Sequence, residues 1–203
     1  VAQWLENSDV PHLAQIAKQY RQAGKPTSAA RFYIVAAQRA RARFANESAL
    51  AAYESALALL SETHALLRLE VLHGLGALHA LAGRHERAES CFGRMLALAW
   101  RLDHRAKAGA ALNRLGRLMR DRSAYDRAAD LLNRGRHLFE QAHDEPGVLA
   151  SIDDLGQVAL LRGDRTEARA RFEEALARRR EADDERAVAL TLTNLARWFR
   201  DAG

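Results

Sequence analysis

A segment of this chain recurs every 40 residues, and this period limits the possible fold more than any other feature. The recurring segments are LHGLG at 72–76, LNRLG at 112–116, IDDLG at 152–156 and LTNLA at 192–196. No insertion or deletion interrupts the spacing. A fixed period of this length is typical of repeat architectures, in which each unit buries its apolar face against its neighbours.

Each unit contains two helices, because apolar residues recur in both halves at three- and four-residue spacing. Both halves carry a small residue on the apolar stripe: Gly76, Gly116, Gly156 and Ala196 in the first half, and Ala88, Ala128 and Ala168 in the second. Small residues on facing stripes let two helices approach closely. Alanine makes up about a fifth of the chain and there are only three prolines, a composition typical of long helices. The sequence therefore predicts an all-α, right-handed α-solenoid of antiparallel hairpins.

About ten helices are predicted, near residues 12–23, 28–44, 47–60, 64–82, 85–102, 106–121, 124–142, 147–162, 166–182 and 186–201. Gly83 and Gly163 follow first helices, where a C-terminal glycine belongs. Ser123, Asp144 and Thr166 are predicted to cap helix N-termini. These signals agree with the hairpin boundaries that the repeat sets.

We divide the chain into degenerate N-terminal repeats over residues 1–61 and regular repeats over residues 62–203, joined in one continuous solenoid. The regular units are predicted near 64–103, 104–143, 144–183 and 184–203. The last unit contains only its first half, so we expect the chain to be an excerpt of a longer protein.

The order of small residue, turn glycine, alanine and aromatic residue, as in Gly76, Gly83, Ala88 and Phe92, resembles the tetratricopeptide repeat. The period is longer than the usual 34 residues and resembles the longer repeats of kinesin light chains, G-protein-modulator scaffolds and bacterial signalling proteins. Residues 29–53 are similar to the start of the repeat region in large bacterial regulators. That resemblance implies a bacterial cytoplasmic protein with a neighbouring ATPase, kinase or cyclase domain.

The resemblance also implies that the first helices line a concave face that binds partners. The implied partner-binding residues are His73, Asn113, Arg117, Arg120, Asp153, Gln157, Asn194, Arg197 and Arg200. A row of four arginines on this face could hold the carboxylates of an acidic peptide or partner helix. In the other interpretation these arginines are exposed side chains, some paired with Asp or Glu on neighbouring helices.

No catalytic residue, metal site or cofactor is predicted. The single cysteine, Cys91, excludes an internal disulfide and a Cys-based zinc site. His73 and His79 are six residues apart on one predicted helix, a poor spacing for chelation. The sequence contains no Gly-rich phosphate loop, nucleophile elbow or His-Glu-x-x-His motif. It also has no charge-free stretch long enough to span a membrane.

Nucleic acid is a less favoured partner, despite a net charge of +5. Phosphate binding needs clustered basic residues, whereas acidic residues interleave with the basic ones. The densest basic run, Arg178–Arg180, is flanked by Glu173, Glu174 and Glu181, which indicates a solvated helix face. We therefore expect steep salt dependence only if this rival interpretation is correct.

The sequence thus predicts a non-catalytic interaction module that presents a groove to a protein or peptide, and that contacts neighbouring domains of its own chain. An alternative is a sensor, in which the groove closes on a small ligand or peptide and regulates an attached kinase or ATPase.

Overall fold

The computed structural model describes residues 10–181 and the isolated positions Val188, Leu192, Thr193 and Ala196. In this part of the chain all regular structure is helical. The elements are α1 (Val10–Gln22), α2 (Pro26–Ala42), α3 (Asn46–Leu59), a 3-10 turn (Glu62–His64), α4 (Ala65–Leu81), α5 (His85–Arg101), α6 (Arg105–Asp121), α7 (Tyr125–Gln141), α8 (Glu145–Leu161) and α9 (Arg165–Glu181). The all-helical prediction is confirmed, and the predicted bounds of these helices agree within about two residues. The helix predicted near 186–201 lies outside the described residues.

A shorter period of 20 residues underlies the 40-residue repeat. Helices α4 to α9 each contain 17 residues and begin at Ala65, His85, Arg105, Tyr125, Glu145 and Arg165. Three residues connect each helix to the next. The two halves of every hairpin therefore have the same length, and the sequence motif repeats at 40 because only alternate helices share their side chains.

The same backbone turn follows each of these helices except the last. Its middle residue has a left-handed conformation, with φ of 68° at Gly83, 50° at Asp103, 60° at Ser123, 53° at His143 and 84° at Gly163. After α6, for example, the Ala124 N–H donates to the carbonyl of Met119 at 2.9 Å, and the Ser123 N–H donates to that of Arg120, also at 2.9 Å. This is the Schellman pattern that satisfies the last carbonyls of a helix. The predicted turn glycines are confirmed.

One of the three predicted N-caps is confirmed and two are wrong. The Asp144 carboxylate accepts the Gly147 N–H at 3.1 Å at the start of α8. Ser123 occupies the left-handed turn position, so Ala124 stands at the cap of α7. Thr166 lies inside α9, where Asp164 accepts the Glu167 N–H at 3.0 Å. The fixed three-residue connection places the cap directly after the left-handed residue.

Ser123→Gly is expected to stabilise the chain by about 1 kcal/mol, because a left-handed conformation strains a residue that has a Cβ. Thermal unfolding followed by circular dichroism should show a higher midpoint. Ser90→Gly is the matched control, since Ser90 is exposed inside helix α5 and glycine lowers helix stability there. Equal midpoints for the two variants would contradict the assignment of strain to Ser123.

The described contacts divide the chain into two compact units, Val1–Leu98 and Ala99–Gly203. In the first, the Tyr53 ring occupies the space beside Gly74, and the Phe92 ring lies against Gly76. In the second, Leu132 packs at Gly116. These contacts confirm that small residues on facing stripes admit a larger side chain from the adjacent helix. The predicted division into residues 1–61 and 62–203 within one solenoid stays a prediction.

Candidate partner-binding face

Two predicted arginines lie on α6 and reach across to α8. The Arg117 Nε donates to Asp154 Oδ2 at 2.7 Å, and the Arg120 Nη1 donates to Gln157 Oε1 at 2.6 Å. Arg120 also contacts the neighbouring carboxylate of Asp121 at 2.9 Å. Three of the predicted site residues, Arg117, Arg120 and Gln157, are thus brought together on one face.

Two further predicted residues are buried beneath this face. Asn113 is 5% exposed, and its Nδ2 donates to Ser151 Oγ at 2.9 Å. Asp153 is 7% exposed and holds Arg179 of α9 through two parallel hydrogen bonds, of 3.1 and 2.6 Å. Asn113 and Asp153 therefore bind one helix to the next, and neither is presented to solvent.

Arg179 is only 5% exposed, so the prediction that Arg178–Arg180 forms a solvated face is wrong for its middle residue. Arg179 stands 40 residues after Phe139, which is itself buried. The repeat position was thus a core position, and a buried carboxylate, Asp153, compensates the charge that replaced the aromatic ring. Arg178 and Arg180 are not buried.

Asp154 is the residue of this face that sequence reasoning missed. It is buried, and desolvation raises the pKa of its carboxyl above the usual value, although Arg117 and Arg120 oppose the shift. The two guanidiniums favour the ionised form through a hydrogen bond and through their charge. Asp154 shares its repeat position with Gly74 and Arg114, so only the exchange of a glycine for two opposite charges could have marked it.

The arrangement favours the second interpretation of the arginines, in which neighbouring helices supply carboxylates. Arg117 and Arg120 are nevertheless half-buried at the surface, as is Gln157, so a partner could still reach them. His73 is also half-buried, on α4 in the first unit. The last three predicted residues, Asn194, Arg197 and Arg200, lie outside the described residues.

The nucleophilic and titratable groups elsewhere do not form a site. Burial lowers the pKa of His79, and the charges of Arg87 and Arg84 add to this effect. Burial raises the pKa of the Cys91 thiol, which makes it a poor nucleophile. Among the described residues no group of three His, Cys, Asp or Glu side chains could hold a metal ion. No helix in the same part of the chain is both long and apolar enough to cross a membrane.

Comparisons with known proteins agree with this geometry. Residues 148–203 match the family model described as tetratricopeptide repeat. The repeats are tetratricopeptide-like. A comparison with curated proteins gives no match. The recognition made from the sequence is confirmed, as is the helical repeat fold.

Solved structures of the same fold span nearly the whole chain. BtubC (BKLC) from P. vanneervenii has 18% identity and a TM-score of 0.78, over 98% of this chain and 84% of that one. A Rap protein complexed with competence and sporulation factor has 14% identity and a TM-score of 0.76, over 90% and 51%. A kinesin light chain-like repeat protein from Podospora anserina has 18% identity and a TM-score of 0.54, over 93% and 84%. At these identities the likeness concerns the fold alone.

Proposed function

We propose that the face formed by α6 and α8 binds a protein or peptide partner and that the chain is a non-catalytic interaction module. The observation that carries this proposal is the placement of Arg117, Arg120 and Gln157 side by side at the surface, each held by hydrogen bonds. Fixed side chains lose less conformational entropy when a partner binds. The face is therefore prepared for a ligand without a rearrangement of its own.

An acidic partner fits this face best. Within the described residues Arg117 directs its Nε to Asp154, and a guanidinium has five N–H donors in all. The other donors can bind a second carboxylate, and charge-assisted hydrogen bonds of this kind are among the stronger ones in proteins. The buried Asp154 orients the guanidinium, while the incoming carboxylate approaches from the solvent side.

The proposed setting is a larger bacterial signalling protein of the cytoplasm, in which this chain also contacts neighbouring domains. The resemblance of residues 29–53 to bacterial regulators supports that setting. The structurally similar Rap protein, which was solved with competence and sporulation factor bound, supports a second candidate function. In that alternative the face senses a ligand and changes the shape of the chain, which small-angle scattering with and without a bound peptide would reveal.

The test begins with selection of binding peptides from a random display library against the 203-residue chain. We expect carboxylate-rich peptides to be selected. Asp154→Asn should bind the selected peptide at least as tightly as the unmodified chain, since both arginines remain and lose a competing charge. Asp154→Asn combined with Arg117→Gln should bind about tenfold to a hundredfold more weakly, the value of a hydrogen bond to a charged group.

Arg134→Gln is the matched control, because Arg134 is an exposed arginine on α7 that pairs with Asp130 at 3.5 Å. It should leave the affinity unchanged, and circular dichroism should show that every variant folds. Selection of basic or apolar peptides would refute an acidic partner. Equal affinities of the double variant and Asp154→Asn would remove Arg117 from the site.

A further inference from the structure

All of the net positive charge of this chain lies in one short segment. Residues 10–46 contain seven Lys and Arg residues and no Asp or Glu, whereas residues 47–203 contain 24 basic and 24 acidic residues. The interleaving of opposite charges therefore holds from Glu47 onward and fails in α1 and α2. These two helices pack against each other in the first unit. We call the exposed surface of residues 10–46 the cationic surface.

Five cations of the cationic surface have no ion pair with any described residue: Lys18, Arg21, Lys25, Arg31 and Arg41. All five are exposed. Arginines of α7 and α9 behave differently, since Arg136 contacts both Glu140 and Glu174, and Arg178 contacts Glu145. The charges of α1 and α2 are thus not neutralised within the described fold and attract a polyanion.

The cationic surface also presents aromatic rings. Phe44 follows α2, is 87% exposed and has a φ of 58°, in the turn position that Gly83 and Gly163 occupy later in the chain. A bulky residue is strained in this conformation, and burial does not compensate the strain. Tyr20 of α1 and Phe32 of α2 stack with their centroids 5.2 Å apart, and both are half-buried.

The kind of polyanion follows from what the surface lacks. A protein interface needs an apolar centre, and a membrane-bound helix needs an apolar outer face. In the described part of residues 10–46, Phe44 is the one large hydrophobic residue that is exposed. Dispersed cations with a stacking ring are sufficient for a single-stranded nucleic acid, because phosphates supply the charge and bases stack on aromatic side chains.

We propose that α1 and α2, with Phe44, form a binding surface for single-stranded nucleic acid. This function is separate from the face of α6 and α8, which uses other residues in the other unit. Five phosphates neutralised by the five unpaired cations would give a slope of log K against log salt of about −3.5. Phe44 adds a stacking contact that does not depend on base identity.

The test is fluorescence anisotropy of a labelled oligothymidylate of about 20 nucleotides, a length that covers one binding site of ordinary size. Arg31→Gln with Arg41→Gln should weaken binding and reduce the salt slope by about 1.4, the share of two phosphates. Lys107→Gln with Arg127→Gln removes the same charge from exposed positions on α6 and α7. This control should bind like the unmodified chain.

Phe44→Gly separates binding from folding. It should bind the oligonucleotide at least fivefold more weakly, since a stacking partner is lost, yet unfold at a higher temperature because glycine relieves the strained turn. A structural role for Phe44 would lower the stability instead. The affinity of the α6–α8 peptide should not change in any of these variants, so that the two functions can fail independently.

Three results would overturn the proposal. The first is no binding to the oligonucleotide at low salt. The second is an equal loss in the two double variants, which would indicate a general effect of net charge. The third is equal displacement by polyglutamate at the same charge concentration, which would assign the cationic surface to an acidic protein.

Discussion

Gly156→Val is expected to destabilise the chain by about 3 kcal/mol, which is the upper part of the range for overpacked cores. A Cβ at this position of α8 would lie 2.5 Å from Cε1 of Phe172 and 2.9 Å from Cδ1. Phe172 is 1% exposed, so its ring cannot move into solvent without losing its own burial. Chemical denaturation followed by circular dichroism measures the free energy of unfolding.

Gly93→Ala is the matched control for this substitution. Gly93 also lies inside a helix, α5, but a Cβ there would have nothing within 4 Å. Alanine should therefore stabilise the chain by about 0.5–1 kcal/mol through its helix propensity. A Gly156→Val chain as stable as the unmodified one would show that α8 and α9 are not held together at this contact.

The contact between Gly156 and Phe172 is a part of the fold that could be predicted from sequence. The glycine recurs at a fixed period and the aromatic residue follows at a fixed distance, so both positions stand out from a variable background. The turns could be predicted only where glycine marks them, as at Gly83 and Gly163. Asp103 and Ser123 adopt the same conformation, but polar residues occupy many conformations and carry no comparable signal.

The candidate face could be predicted in position but not in pairing. A repeat aligns Arg117 with later first helices and so predicts which face it occupies. The partner, Asp154, is an individual departure from the repeat and is not marked by any shared pattern. Arg179 shows the same limit, because its charge suggested solvent while its repeat position, shared with Phe139, placed it in the core.

Arg179→Met is expected to destabilise the chain by about 3–5 kcal/mol, the usual cost of removing one partner of a buried ion pair. Asp153 would remain buried, without the two hydrogen bonds of 3.1 and 2.6 Å that compensate its desolvation. Methionine has a similar length and fits irregular spaces, so the loss would report the charge more than the packing. Chemical denaturation at neutral pH provides the measurement.

Two further variants separate the charge from the side-chain volume. Asp153→Asn combined with Arg179→Met should recover most of the lost stability, because replacing a buried pair by neutral groups is often without cost. Arg178→Met changes the neighbouring arginine, which is partly exposed and pairs with Glu145 at 3.2 Å, and should cost less than about 1 kcal/mol. A double variant no more stable than Arg179→Met would mean that the shape of the guanidinium, and not its charge, is what this position of the repeat requires.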